Sequence, residues 1–414
     1  MLLVAAALRL ISLGEPPIRY GDEYNYALDR SGNFAPAPLI SRTPVPPPPG
    51  VLTIQGDLSW VHPPLAKILI AWSQQLGGFT PLSWRLPSAI FGIAGVALVF
   101  AVGLALWRSA WWASLTALLL AEDGLHIVQS RMAMLDIFMS TFLVAGLLCL
   151  VLAWRAQTSA AMRWQLLAGA LFGAAIASKW SALFVAGPAV VLWAVLTWRR
   201  FRLRLVWPVA AIAAVYLASY AQFFVQHGPA FGGFVRLQGA MLGYHEDLDL
   251  RNPMTSRAET WPLMLHPNTY YYGGDGFSPA GTPLPTSHEK EITTVGNPAL
   301  WWPWLALAPL GACLALRRRC WPALLPLAAY LCAWLPWLFI GRAEFFYYML
   351  PGVPFMALGA CAALRQLPSR AAIPLGALIA VASTLAAVAF APHWLGLPIP
   401  LSWGQHLRWL SGWM

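Results

Sequence analysis

The sequence predicts an all-α integral membrane protein, a single polytopic domain over residues 1–414 of about eleven spans with two long loops on one face. Three observations predict it. Of the 414 residues, 59% are hydrophobic and only 10% charged, whereas a soluble domain needs about 25% charged residues to cover its surface. Uncharged stretches near the roughly 20 residues needed to cross hydrocarbon recur along the chain. The arginines gather in short clusters between those stretches.

In chain order, the apolar start from Met1 to Leu13 is too short for a full span. No basic residues precede it as in a signal peptide, and a start site placed late or a trimmed chain is the simplest expectation. Residues 86–107, 180–198, 292–316, 320–341 and 345–364 qualify as spans directly, while 205–235 and 371–407 each contain one with slack. Residues 109–121, 137–154 and 164–178 are shorter and reach full length only past a single ionisable residue, drawn from Glu122, Asp123, Asp136 and Lys179. A charge at a span is costly, so these four are functional candidates, with an interhelical ion pair as the plainer reading.

Alternating the spans from a cytoplasmic N-terminus places Arg108, Arg155, Arg163, Arg199, Arg200, Arg202, Arg204, Arg317, Arg318, Arg319, Arg365 and Arg370 inside, as the positive-inside rule expects. All sixteen acids and all eight histidines then fall outside or in the outer half of a span. The net charge of +10 therefore marks topology rather than a nucleic-acid face. Two stretches are too polar to cross, about 15–85 and about 226–297, and a C-terminal tail follows at about 392–414; all three map outside. Thr43-Pro44-Val45 and Pro46 to Pro49 read as a polyproline II spacer. Tryptophans such as Trp198, Trp207 and Trp321 sit at span ends as interfacial anchors; Trp60 and Trp261 are candidates for stacking on a sugar.

The five cysteines have neither disulfide-framework nor zinc spacing. The histidines His126, His245 and His266 stand singly, without an HExxH pair. No resident metal or cofactor is expected, although a divalent cation would be feasible if Asp22, Glu23 and Asp123 converged. What remains is a line of charged residues at the outer interface: Asp22-Glu23, Lys67, Arg85, Glu122-Asp123, Arg131, Asp136, Lys179, and Arg342 with Glu344. Cations at headgroup depth suit a lipid-linked phosphate, and a nearby carboxylate can take the proton of an attacking hydroxyl. Transfer of a sugar from a polyprenyl phosphate fits this set. The leaving phosphate gains charge as the bond breaks, so fixed cations favour the transition state.

The ordered strings then carry a resemblance. Asp22, in Tyr20-Gly21-Asp22-Glu23-Tyr24, follows Arg9 by thirteen residues. His62-Pro63-Pro64-Leu65-Ala66-Lys67 comes next, then Trp84-Arg85-Leu86-Pro87, Glu122-Asp123-Gly124 and Gln129-Ser130-Arg131-Met132-Ala133-Met134-Leu135-Asp136. Ser178-Lys179-Trp180, Met241-Leu242-Gly243-Tyr244-His245, Trp261-Pro262-Leu263-Met264, Tyr270-Tyr271-Tyr272 and Gly296-Asn297-Pro298 complete the series. Across nearly its whole length the chain resembles the protein O-mannosyltransferase family in its short bacterial form. That resemblance implies a GT-C fold and inverting transfer of mannose from polyprenyl phosphate mannose to Ser or Thr hydroxyls of exported proteins. The site would lie on the extracytoplasmic side of the cell membrane, with secreted or membrane proteins as substrates and the export translocon as a candidate partner. By motif match, Asp22 is the general base and Glu23 shapes the site. Arg85, Lys179 and Arg131 serve donor phosphate and electrostatics, Arg9 supports them, and His62, Lys67, Asp123, Asp136 and Arg342 stand behind.

Departures from the family strings are HPPLAK for HPPLGK, Asn252-Pro253-Met254, His266-Pro267 and Arg342-Ala343-Glu344-Phe345-Phe346-Tyr347-Tyr348. Most fall in or beside the second loop, where an acceptor would be chosen. That loop is too short to hold the lectin-like insert of eukaryotic members. The rivals are a GT-C enzyme moving another sugar onto a lipid or glycan, a secondary transporter, and a non-catalytic scaffold. A transporter should gather its charges near mid-membrane and show repeats, and this chain does neither.

Overall fold

The computed structural model describes residues 1–27, 46–57, 59–156, 158–201, 206–248, 254–274 and 285–413. Thr43-Pro44-Val45, Arg202 and Arg204, and Asn252-Pro253 lie outside the described residues, as do the side chains of Arg199 and Arg200.

The apolar runs form helices, in order α1 Leu2–Leu10, α2 Glu23–Tyr26, α3 Leu65–Gly77, α4 Pro81–Trp107, α5 Ala110–Ala121, α6 Gly124–Ser130, α7 Asp136–Arg155, α8 Thr158–Ser178, α9 Leu183–Phe201, α10 Val206–Ser219, α11 Ala221–His227, α12 Phe231–Glu246, α13 Pro298–Arg317, α14 Leu325–Trp334, α15 Val353–Leu364, α16 Ser369–Leu395 and α17 Leu401–Leu407. Among the described residues, eight helical segments are long and apolar enough to cross a membrane, and α10 with α11, bent by 53°, supplies a ninth. The expected eleven would require α5, at twelve residues, and α1, at nine, to cross as well.

Local chemistry sets the helix ends. Thr80 caps α4 by accepting from the Ser83 amide, with Pro81 in the first turn, where its missing N–H costs nothing. Asn297 and Pro298 repeat the device on α13. The ionisable residues expected inside spans stand at breaks instead: α5 stops before Glu122, α7 begins at Asp136 and α8 stops before Lys179. Arg85, placed at a loop's edge from sequence, is already one turn into α4.

A small antiparallel sheet of order β1-β2-β3 departs from the all-α expectation: β1 is Thr269–Gly274, β2 His288–Thr293 and β3 Ile399–Pro400. The register pairs Tyr272 with Glu291 and Glu289 with Ile399, so the chain's end is stitched onto the second loop. Alternation across such short strands was masked by the polar residues HEKEIT, which read as loop.

The core lies around the segment Phe346–Leu364, whose 18-residue apolar window is 100% buried. It begins as a 3-10 turn over Phe346–Gly352 and continues as α15. Helices α13, α14 and α5 pack on it, and α7 packs on its 3-10 turn. Small residues allow the close approach: a Cβ at Gly311 would stand 2.5 Å from that of Ala363. The site residues therefore hang from the most enclosed segment of the bundle.

Candidate active site

The acid pair is set by a turn. Gly21 takes φ +55°, and a Cβ there would come within 2.7 Å of the Tyr270 ring, so only glycine fits both the conformation and the contact. The turn sends the two carboxylates in opposite directions. Glu23 is fully buried and receives Arg85 through both its oxygens, Nε to Oε1 at 2.8 Å and Nη2 to Oε2 at 2.9 Å. The Tyr20 and Ala133 amides donate to the same oxygens. Asp22, half-buried, accepts from the Tyr347 hydroxyl at 3.0 Å and from Asn25 Nδ2 at 3.3 Å.

Counting donors separates structural cations from available ones. A guanidinium has five N–H groups and an ammonium three. Arg85 spends its five on Glu23 and on the carbonyls of Leu13, Pro16 and Ile18. Arg9 does the same with the carbonyls of Ala5, Leu120 and Ala121, with Ser130 and with His126 Nδ1. Arg131 collects the carbonyls of Leu8, Arg9, Ile11 and Ser12 and so caps the C-terminal end of α1. Lys67 is exhausted by Asp57 and the Ser59 and His62 carbonyls. Arg85 and Arg131, expected to serve donor phosphate and site electrostatics with Arg9 in support, thus turn their charge onto backbone carbonyls and, for Arg85, onto Glu23. Desolvation forces this, because a buried guanidinium left unpaired would cost far more than the loop order it imposes.

Asp123 is likewise occupied. Its Oδ1 caps α6 through the His126 amide, and its Oδ2 accepts from the Asn297 amide and from Trp301 Nε1 at 2.7 Å. Glu122 accepts from Ser383 and Thr384 on α16. Asp22, Glu23 and Asp123 form no ligand group for a metal, so the convergence considered from sequence does not occur.

Two expected cations do reach Asp22's neighbourhood. Lys179 binds both oxygens of Asp136, at 2.8 and 2.9 Å, and lies 4.6 Å from the Tyr348 ring and 5.3 Å from that of Tyr347. Arg342 donates to His245 Nδ1 at 2.7 Å and to the Tyr348 hydroxyl at 3.1 Å. His245 Nε2 lies 2.8 Å from the Val61 carbonyl and must donate there, so Nδ1 accepts and the ring is neutral. Burial and then Arg342 hold its pKa down at about 4. His62 stacks at 4.9 Å on His245, and burial likewise holds it well below the usual histidine range. These two histidines are a pair, contrary to the isolated residues expected from sequence. Among the described residues no carboxylate ion-pairs with Arg342, and its Nε has no partner.

Arg342 also lines a cavity of about 730 Å³ with Glu246, Asp247, Ser256, Arg257, His266 and Glu344. Burial pushes the Glu344 carboxyl up to about 7. Trp60 and Trp261 are 4% and 0% exposed and cannot serve as open stacking platforms.

Sequence reasoning missed Tyr347 as the partner of Asp22, and Asn268, whose Oδ1 accepts from the Tyr347 amide. It also missed Gln129 on Tyr270. The tyrosine runs were visible as strings, but 325 residues separate Asp22 from Tyr347, and spacing carries no signal over that distance.

A membrane bundle with an acid pair beside a cation and tyrosines at one end defines a class of membrane glycosyltransferases, and comparison bears this out. Residues 80–227 match the family model described as dolichyl-phosphate-mannose-protein mannosyltransferase. Residues 230–413 match the C-terminal four-transmembrane region of protein O-mannosyltransferase. The chain belongs to the protein O-mannosyltransferase family and is a glycosyltransferase of it. It is 30% identical over 366 residues to the polyprenol-phosphate-mannose–protein mannosyltransferase of Mycolicibacterium smegmatis, covering 72% of this chain and 69% of that one. The Corynebacterium glutamicum protein of the same name is 25% identical over 85% of this chain and 81% of its own. Among solved structures, the S. cerevisiae protein O-mannosyltransferase Pmt1–Pmt2 complex bound to the sugar donor superposes with a TM-score of 0.80 at 14% identity, over 100% of this chain and 91% of that one. ArnT from Cupriavidus metallidurans bound to undecaprenyl phosphate gives 0.65 at 17%, over 95% and 76%. Both carry the GT-C fold.

Proposed function

We propose that the protein transfers mannose from a polyprenyl phosphate donor to Ser or Thr hydroxyls of proteins crossing the membrane, at its extracytoplasmic face. The observation that carries the reading is the placement of Asp22. Of the acid pair Glu23 is buried and Asp22 only half-buried, and Asp22 Oδ2 accepts from Tyr347, whose ring lies 5.3 Å from Lys179 Nζ.

In this reading Asp22 accepts the proton of the acceptor hydroxyl as its oxygen attacks the anomeric carbon. Arg342 receives the departing phosphate, since its hydrogen bonds go to the neutral His245 ring and the Tyr348 hydroxyl, and Lys179, held by Asp136 beside the Tyr347 and Tyr348 rings, adds a second cation. A phosphate leaving group needs no proton, so one carboxylate suffices. Single displacement inverts a β-linked donor to an α-mannoside. Glu23 and Arg85 are positioning residues that fix the turn carrying Asp22. The reading needs no divalent cation in the chemical step. Exported or membrane proteins are the acceptors, the cavity beside Glu344 is their approach, and the cell membrane is the location, with the translocon as a nearby partner.

The test is incubation of purified protein with radiolabelled polyprenyl phosphate mannose and a Ser/Thr-rich peptide, with and without EDTA. Label in the peptide, retained at least in part in EDTA, supports the reading. Label appearing only in lipid or glycan, or none at all, overturns it.

A further inference from the structure

Away from the acid pair, where β2 meets the end of α16, three ligand-type side chains converge in the core. Glu289, Glu291 and His393 are 0%, 2% and 3% exposed, and one ligand atom from each lies within 4.8 Å of the others. Of the two ring nitrogens, Nε2 lies 3.7 Å from Glu289 Oε1 and Nδ1 3.8 Å from Glu291 Oε2, and Nε2 is the one left open to an ion. Both separations exceed a hydrogen bond. Glu289 Oε1 and His393 Nε2 consequently have no partner, although both are buried. Two polar atoms aimed at each other across that gap are what a missing ligand leaves.

The remaining contacts show what the ligand must be. Arg408 donates to Glu289 Oε2 at 2.8 Å and to Glu291 Oε2 at 3.1 Å, and Thr269 donates to Glu291 Oε1. One guanidinium against two carboxylates leaves a unit of negative charge enclosed in protein, so the ligand is a cation. Metal–oxygen and metal–nitrogen bonds of about 2.0–2.2 Å place two ligands of one ion roughly 3–4.3 Å apart, and 3.7 Å falls in that interval. An imidazole in the set selects zinc or manganese over calcium and magnesium, which prefer all-oxygen cages. Arg408 stays in place: it holds Glu289 Oε2, the oxygen opposite the open Oε1, and shares Glu291 Oε2 with the ion through that atom's second lone pair.

We propose that Glu289, Glu291 and His393 bind one divalent transition-metal ion, which ties the β1–β2 hairpin to α16 and the C-terminal strand. The ion is structural. It lies on β2 whereas Tyr270 lies on β1, so losing it loosens the hairpin next to Asp22 without removing a reacting group.

Metal analysis of the purified full-length protein decides the matter. After EDTA treatment, gel filtration and exposure to Zn²⁺ or Mn²⁺, about one ion per chain should remain and the melting temperature should rise by several degrees, as ligand linkage requires. Mg²⁺ and Ca²⁺ should do neither. Glu291→Gln and the milder His393→Gln should each lose retention at least about tenfold, in line with loss of a ligand, while Asp22→Asn retains the ion. Wild-type protein that stays metal-free in excess Zn²⁺ and Mn²⁺ overturns the proposal, as does undiminished retention by both ligand variants.

Discussion

Asp22, Arg342 and Glu344 differ in what the fold leaves them free to do. Arg342 carries a charge that its neighbours His245 and Tyr348 do not neutralise. Arg342→Ala should raise the KM for the lipid donor about 10- to 100-fold, the value of a hydrogen bond to a charged group, and should change peptide KM far less; steady-state kinetics with each substrate varied separates the two. Glu344 beside it is pushed up to about 7 by burial. Below that pH it is neutral and leaves the Arg342 charge uncancelled; above it the carboxylate competes for that charge. Donor KM should therefore rise as pH increases through about 7, and Glu344→Gln should flatten the profile. The folded protein binds this proton more tightly than the unfolded chain does, so Glu344 also lowers stability as pH rises from the ordinary carboxylate range through 7.

Among elements, the first loop is held by cations rather than by apolar packing alone. Arg85 on α4 fastens Glu23 and three carbonyls of the chain leading into the turn. Removing one partner of such a buried pair strands the other charge and costs about 3–5 kcal/mol. Arg85→Ala should lower the thermal midpoint strongly and reduce transfer, and Glu23→Gln should do so more mildly because the amide keeps an acceptor. Equal stability of Arg85→Ala and wild type would show that the clamp is idle. The helices themselves were legible in the sequence, since apolar length and the Thr80-Pro81 and Asn297-Pro298 caps are local signals. The sheet was not, because its third strand comes from a segment about a hundred residues beyond the second and His288–Thr293 lacks apolar alternation. The role of the arginines was not legible either. Sequence locates a cation near an interface, whereas its acceptors are carbonyls that only the folded chain brings within reach.

For the whole molecule, the bundle places the acid pair, the tyrosines of Phe346–Gly352 and the β hairpin at one end, and Arg317 and its neighbours at the other end of α13. If the cluster end is cytoplasmic, then in a background without native cysteines Arg319→Cys should be protected from a membrane-impermeant maleimide in intact cells. Ser287→Cys, exposed on the hairpin side, should be labelled. The family was legible from ordered motifs because strings such as Tyr20 to Tyr24, Glu122-Asp123-Gly124 and Gly296-Asn297-Pro298 occupy turns and helix ends that the fold uses. The pairing of Asp22 with Tyr347 was not, since it arises only when the first loop closes over the most buried segment of the bundle. The most direct measurement is the turnover of purified Asp22→Asn protein on polyprenyl phosphate mannose and a Ser/Thr peptide. The variant should melt like the wild type and bind donor normally, yet its kcat should fall about 100- to 10,000-fold, the usual contribution of a general base. Turnover within a few-fold of wild type would contradict the assignment of proton transfer to Asp22.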